Sequence, residues 1–199
     1  MFKSIITLLM LAFLSFGNLG AQSGDSLKTK IQAFIAAVDS SHEKKYLNID
    51  KRDLGGIDET EYEWVERFML KSFREFEDNL GYERERKIYF SVYNYYEPID
   101  RKYALKYWLE NFIEDETLRP GRKIRELRYA TPTIILINES SIAVANFDCR
   151  YYKEDNFEFW KDLMLKHLGN DETMVIEILC DGPVEWTENA PDPRTRGLF

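Results

Sequence analysis

Three polar residues at alternate positions near the end of one apolar run are this chain's best candidates for chemistry: Asn146, Asp148 and Arg150. On a strand, alternation places them on one face, because successive side chains point to opposite sides. Glu177 stands between Val175 and Leu179 in a later run, Met174–Cys180, and adds a second carboxylate. Turned into a cavity, a carboxylate beside an amide and a guanidinium can hold a small molecule or move a proton, so these four residues are the candidate pocket lining. Turned outward, they are the wet side of an antiparallel sheet, which is the simpler expectation. Cys149 and Cys180 lie on the more apolar side of the same two runs. They read either as a disulfide, if the strands are adjacent, or as two thiols packed as small hydrophobes, which is the reading preferred here. Neither opens a helix or has a histidine nearby in sequence, so neither is expected to be a nucleophile.

Other chemistry is missing from the residues. The sequence contains no Gly-rich phosphate loop, dinucleotide fingerprint, Gly-x-Ser-x-Gly elbow, His-Glu-x-x-His or Cys-x-x-Cys, so no catalytic residue and no cofactor is assigned. A zinc site would need Cys149, Cys180, His42 and His167 to converge, and the acids Asp50, Asp53 and Asp58 miss calcium-loop spacing because Arg52 occupies a ligand position. No metal is expected. The formal charge of −8, with acids and bases interspersed, argues against nucleic acid as a partner. The aromatic run Tyr89–Tyr96, with Tyr103, Tyr107 and Trp108, can stack on sugar rings, but strand propensity and core packing account for it more simply.

The elements that must carry these residues are read from periodicity. Leu27, Ile31, Phe34, Ile35 and Val38 mark a first helix whose stripe His42 continues. Thr60 and Glu63 form a capping box for a second, with Trp64, Val65, Phe68, Met69, Phe73 and Phe76 as its stripe and Gly81 as its C-terminal cap. Lys87–Tyr96 is a strand, and Arg101–Glu114 a third helix with Leu105, Trp108, Leu109 and Phe112 on one side. Lys123–Ile137 and Ile142–Tyr152 form a hairpin in which Pro132 marks a bulge or an edge. Asp155–Leu168 is a fourth helix, Met174–Cys180 a strand, and Val184–Thr187 a short last strand. The order predicts one α+β domain over 22–189: a curved antiparallel sheet of about four to five strands, with three to four helices on one face. Residues 190–199 read as an extended C-terminal tail.

The hairpin Arg125–Tyr152, the helix Arg101–Glu114 before it, and the opening segment Ile31–Asp39 (IQAFIAAVD) resemble the nuclear-transport-factor-2-like (SnoaL-like) cone superfamily. The resemblance implies a curved sheet wrapped around long helices, and either an isomerase or cyclase pocket or a non-catalytic binding domain. It assigns no catalytic residue here.

Residues 1–21 have the layout of an export signal: Lys3, the apolar run Ile5–Phe16, then Leu19-Gly20-Ala21 before Gln22. The run is shorter than the about 20 residues a membrane span needs. The chain is therefore expected to be exported, periplasmic or secreted, with no membrane span after cleavage. The leading functional expectation is a non-enzymatic ligand-binding or accessory protein of the cell envelope. Its partner would be a small molecule, an envelope protein, or a second copy in a homodimer. The alternatives are a cone-type isomerase, cyclase or hydrolase with Asp148 or Glu177 as base, and an inhibitor or immunity-type protein that masks a basic partner.

Overall fold

The computed structural model describes residues 21–47, 57, 60–110, 118–126 and 130–192. Residues 1–20 of the segment 1–21 read as an export signal, most of the loop 48–58 and the end of the tail lie outside the described residues. In chain order the elements are α1 (Ala21–Ala36), β1 (His42–Tyr46), β2 (Trp64–Glu77), β3 (Glu83–Asn94), α2 (Pro98–Glu110), β4 (Thr133–Ile137), β5 (Ser141–Asn146), a 3₁₀ turn (Cys149–Tyr151), α3 (Glu154–Leu168), β6 (Met174–Ile178) and β7 (Val184–Glu188). The architecture is α+β, as expected. Among the described residues, seven strands form one antiparallel sheet in the order β1-β2-β3-β5-β4-β6-β7, more than the four to five expected.

The largest correction concerns Thr60–Asn79, in which Trp64–Glu77 is a strand and not a helix. Its stripe fits helical spacing, but the segment is rich in aromatics and its alternation also fits a pleat. Phe68 and Leu70 are fully buried on one face, and Phe68 stacks on Phe90 of β3 with ring centroids 5.1 Å apart. Long-range pairing decides: β2 and β3 are in register from Trp64↔Asn94 to Glu77↔Glu83. The anticipated capping box does not form. The Glu63 carboxylate instead accepts from Asn94 Nδ2 at 2.6 Å. Gly81 does adopt a left-handed backbone, φ +83°, but in the β2–β3 turn and not at a helix end. A side chain there would be strained in that turn.

A second correction concerns the layers, because helices cover both faces of the sheet. On one face, Ile31 and Phe34 of α1, Val38 just after it, and Phe157, Trp160, Met164 and Leu168 of α3 pack on Phe90, Val92, Ile134, Leu136, Ala143 and Ala145. On the other, Leu105, Trp108 and Leu109 of α2 pack on Tyr93, Ile135, Ile137, Ile142, Val144 and Ile176. The interior strand β4, Thr-Ile-Ile-Leu-Ile, is buried at every position. A continuous apolar run of that kind is what a strand covered on both sides requires. The aromatic run is divided by position: Tyr93, Tyr95 and Trp108 are core residues, while Tyr89, Tyr96, Tyr103 and Tyr107 are exposed.

His42 begins β1 and does not extend the first helix. Its ring meets the Trp160 ring edge-on at 5.2 Å. Burial, helped by the charge of Arg86, holds its pKa below the usual histidine value.

Candidate functional site

The candidate site is built by the far half of the β2–β3 hairpin and the 3₁₀ turn beside it. β5 pairs with β3 only over Tyr89–Asn94. Beyond Asn146 the chain turns away, and Phe147 N–H donates to Pro132 O at 2.8 Å. The hairpin therefore extends past β5 as an arm. Opposite Arg86, β2 bulges between Lys71 and Glu75. Ser72 Oγ organises the bulge by accepting from Arg86 N–H at 2.8 Å and donating to Arg74 O at 2.7 Å. The Arg86 guanidinium lies 3.6 Å from the Phe76 ring centroid. Asp78, buried at the tip, ties the turn by accepting from the N–H groups of Leu80 and Tyr82, both at 2.9 Å.

Between the arm and the 3₁₀ turn lies a half-open groove of about 380 Å³, lined by Glu75, Arg84, Glu85, Lys87, Asp148 and Arg150, with Glu83, Tyr89 and Tyr151 completing it. Asp148 and Arg150 are brought together here. Asp148 caps the turn by accepting from Arg150 N–H at 2.9 Å, and its two carboxylate oxygens accept from Arg150 Nε at 3.0 Å each. The Arg150 side-chain bond holds the Asp148 carboxyl below the usual aspartate range, against a smaller opposing effect of burial. The same bond raises the Arg150 pKa. A group with a depressed folded pKa contributes stability above its unfolded pKa and loses it as pH falls through the folded value. In a carbon-detected NMR titration, Asp148 should therefore titrate below the ordinary value of about 3.9. In Arg150→Gln its midpoint should move up towards that value, and an unchanged midpoint would contradict the pairing.

The other two candidates lie elsewhere. Asn146 pairs with Tyr89 at the inner end of the groove and accepts from Thr133 Oγ1 at 2.9 Å. Glu177 is on the opposite face of the sheet, under α3, and is buried. It accepts from Thr187 Oγ1 at 2.7 Å and is ion-paired with Lys161 Nζ at 2.9 Å. Lys161 also reaches Glu158 at 2.5 Å. Burial opposes the Lys161 charge, but its bonds to the two glutamates outweigh this and raise its pKa. The four polar candidates therefore do not form one pocket, and Glu177 is held by structural partners.

Cys149 and Cys180 are bridged, with Cα atoms 5.5 Å apart, so the preferred reading of two separate thiols is corrected. The reason is that Cys149 is not on the strand. After Phe147 the chain crosses the end of β4, which separates β5 from β6 in the sheet. It brings Cys149 beside Ala130 O, which accepts from Asp181 N–H at 3.3 Å next to Cys180. The bridge fastens the turn that presents Asp148, Arg150 and Tyr151.

The groove glutamates Glu75, Glu83 and Glu85, with Arg84, were not singled out by sequence reasoning. They sit in the segment read as a helix and its exit, where the pairing of one strand against the other was not apparent. Among the described residues, no group of three or more His, Cys, Asp or Glu side chains could hold a metal ion. No helix among them is long and apolar enough to cross a membrane.

No protein-family model, no curated protein and no solved structure matches this chain.

Proposed function

We propose that this chain is an exported, non-enzymatic accessory protein of the cell envelope, which recognises a polypeptide partner through the groove between the β2–β3 arm and the 3₁₀ turn. The observation that carries the reading is the lining of that groove. It is half-open and built from charges of both signs, with Asp148 and Arg150 neutralising each other. A reaction site for a small molecule is ordinarily an enclosed, mostly apolar cavity with a few convergent polar groups. A charged, open surface with aromatic rims suits complementary recognition of another chain. The signal-like residues 1–21 support export, and the bridged cysteines support an oxidising compartment.

The test is retention of a partner. Purified protein is immobilised and exposed to envelope extract from its own cells. Arg150→Glu, which sets two like charges beside each other, is expected to lower stoichiometric retention at least about tenfold while leaving the thermal midpoint within a few degrees. Equal retention by the variant would contradict the assignment. A turnover of any small molecule that Asp148→Asn abolishes would replace it with the cone-type enzyme reading.

A further inference from the structure

The free edge of β3 carries the inference furthest. Along this strand, even-numbered residues direct their backbone groups towards β2: Arg86 N–H donates to Ser72 Oγ, and Asn94 O accepts from Glu63 N–H. Odd-numbered residues direct theirs to the other side, as Tyr95 N–H does in donating to Ser140 O. In an antiparallel ladder the two sets alternate in this way. For Tyr89, Ser91 and Tyr93 the other side is β5. For Glu83, Glu85 and Lys87 it is the groove, and among the described residues their N–H and C=O groups have no strand opposite them.

We propose that a short extended segment of the partner, basic at alternate positions, adds to this edge as a strand. The proposal rests on the groove being the recognition surface, and it names the kind of partner. These three outward-facing residues span five positions, 83–87, or about 15 Å of strand. The edge is bounded inside by the Tyr89–Asn146 pair and at the tip by the bond from Asn79 N–H to Arg150 O at 3.0 Å. Strand addition supplies affinity through main-chain bonds and specificity through alternate side chains. Those side chains would meet Glu83 and Glu85, with Lys87 at the inner end. Glu75 stands opposite Glu85 and Glu77 opposite Glu83, two adjacent like-charge cross-strand pairs that cost stability. Lys71 compensates only Glu85, at 2.7 Å. A basic segment relieves this repulsion, whereas an acidic one would add to it.

The experiment uses the peptide acetyl-Lys-Val-Lys-Val-Lys-amide, its counterpart with glutamate in place of lysine, and residue-resolved amide exchange on the full chain. The lysine peptide should slow exchange at Glu83, Glu85 and Lys87 at least about tenfold, and the glutamate peptide should not. Glu85→Pro removes one N–H that faces away from β2, a position where proline is tolerated. It should weaken the lysine peptide at least about tenfold, as should Glu83→Lys. Protection at other amides, or at none, would overturn the proposal, and so would equal effects of both peptides. Protection without peptide that grows with protein concentration would overturn it in favour of a second copy of this chain. If Arg150→Glu loses the envelope partner while the three amides stay unprotected, strand addition fails and the groove assignment stands. If Arg150→Glu loses nothing, the groove assignment itself fails.

Discussion

Lys161→Met, with Glu177 left in place, is expected to destabilise the fold by about 3–5 kcal/mol, because it strands a buried carboxylate. For a domain of this size that corresponds to a fall in thermal midpoint on the order of 10 °C. The side chains of Lys161 and Glu177 are only 12% and 8% exposed. They join α3 to β6, and Thr187 of β7 donates to the same Glu177 oxygen. Removing one charge leaves the other without compensation, whereas removing both need not. Lys161→Met combined with Glu177→Leu should therefore regain most of the loss, as apolar replacements of buried ion pairs often do. Thermal or urea unfolding of the two variants distinguishes the cases. A loss of under about 1 kcal/mol in the single variant would mean that the pair behaves like a surface bridge.

Removing the disulfide is the second large perturbation. Cys149 and Cys180 are 31 residues apart, and cross-linking a loop of that length contributes about 3–4 kcal/mol on the chain-entropy account. The Cys149→Ser, Cys180→Ser double variant should lose about that much, and reductant should lower the wild-type midpoint similarly without moving the variant's. The loss should also reach the groove. Cys149 lies between Asp148 and Arg150, so freeing the 3₁₀ turn should loosen their pairing. The Asp148 titration midpoint should then rise towards the ordinary aspartate value in the double variant. Unfolding curves with and without dithiothreitol, together with that titration, check both parts. Identical midpoints under all conditions would show that the bridge does not hold the turn.

The parts of this fold that were legible in the sequence are those where local pattern and tertiary context agree. The stripe from Leu27 to Ile35 is helical, the segment around Trp160 and Met164 is helical with an acidic first turn, and Asn138-Glu139-Ser140-Ser141 joins β4 to β5. The turn at Asp181-Gly182 is also as read, with φ +59° and +86°. β2 was not legible, because Trp64, Phe68 and Phe76 satisfy both periods and only the partner strand chooses between them. The two-sided cover of the sheet was missed, although Thr133–Ile137 lacks any polar alternation, the mark of a strand buried on both faces. For the site, Asp148 and Arg150 were found, but for the wrong reason. They meet by a 3₁₀ cap and not by strand alternation. Glu177 looked like a pocket acid because its Lys161 partner is 16 positions away on another element. The disulfide depended on the path of the chain after Phe147, which no periodicity encodes.

The most direct measurement of the groove's role is site-specific photocross-linking in the living cell envelope. A benzophenone side chain is placed at Tyr151 in the groove or at Tyr103 on the outer side of α2, and adducts are quantified per molecule. The account predicts a discrete polypeptide adduct from Tyr151, lost when Arg150 is also changed to Glu, and little from Tyr103. Adducts of equal yield from both positions, or a dominant adduct from Tyr103, would contradict it.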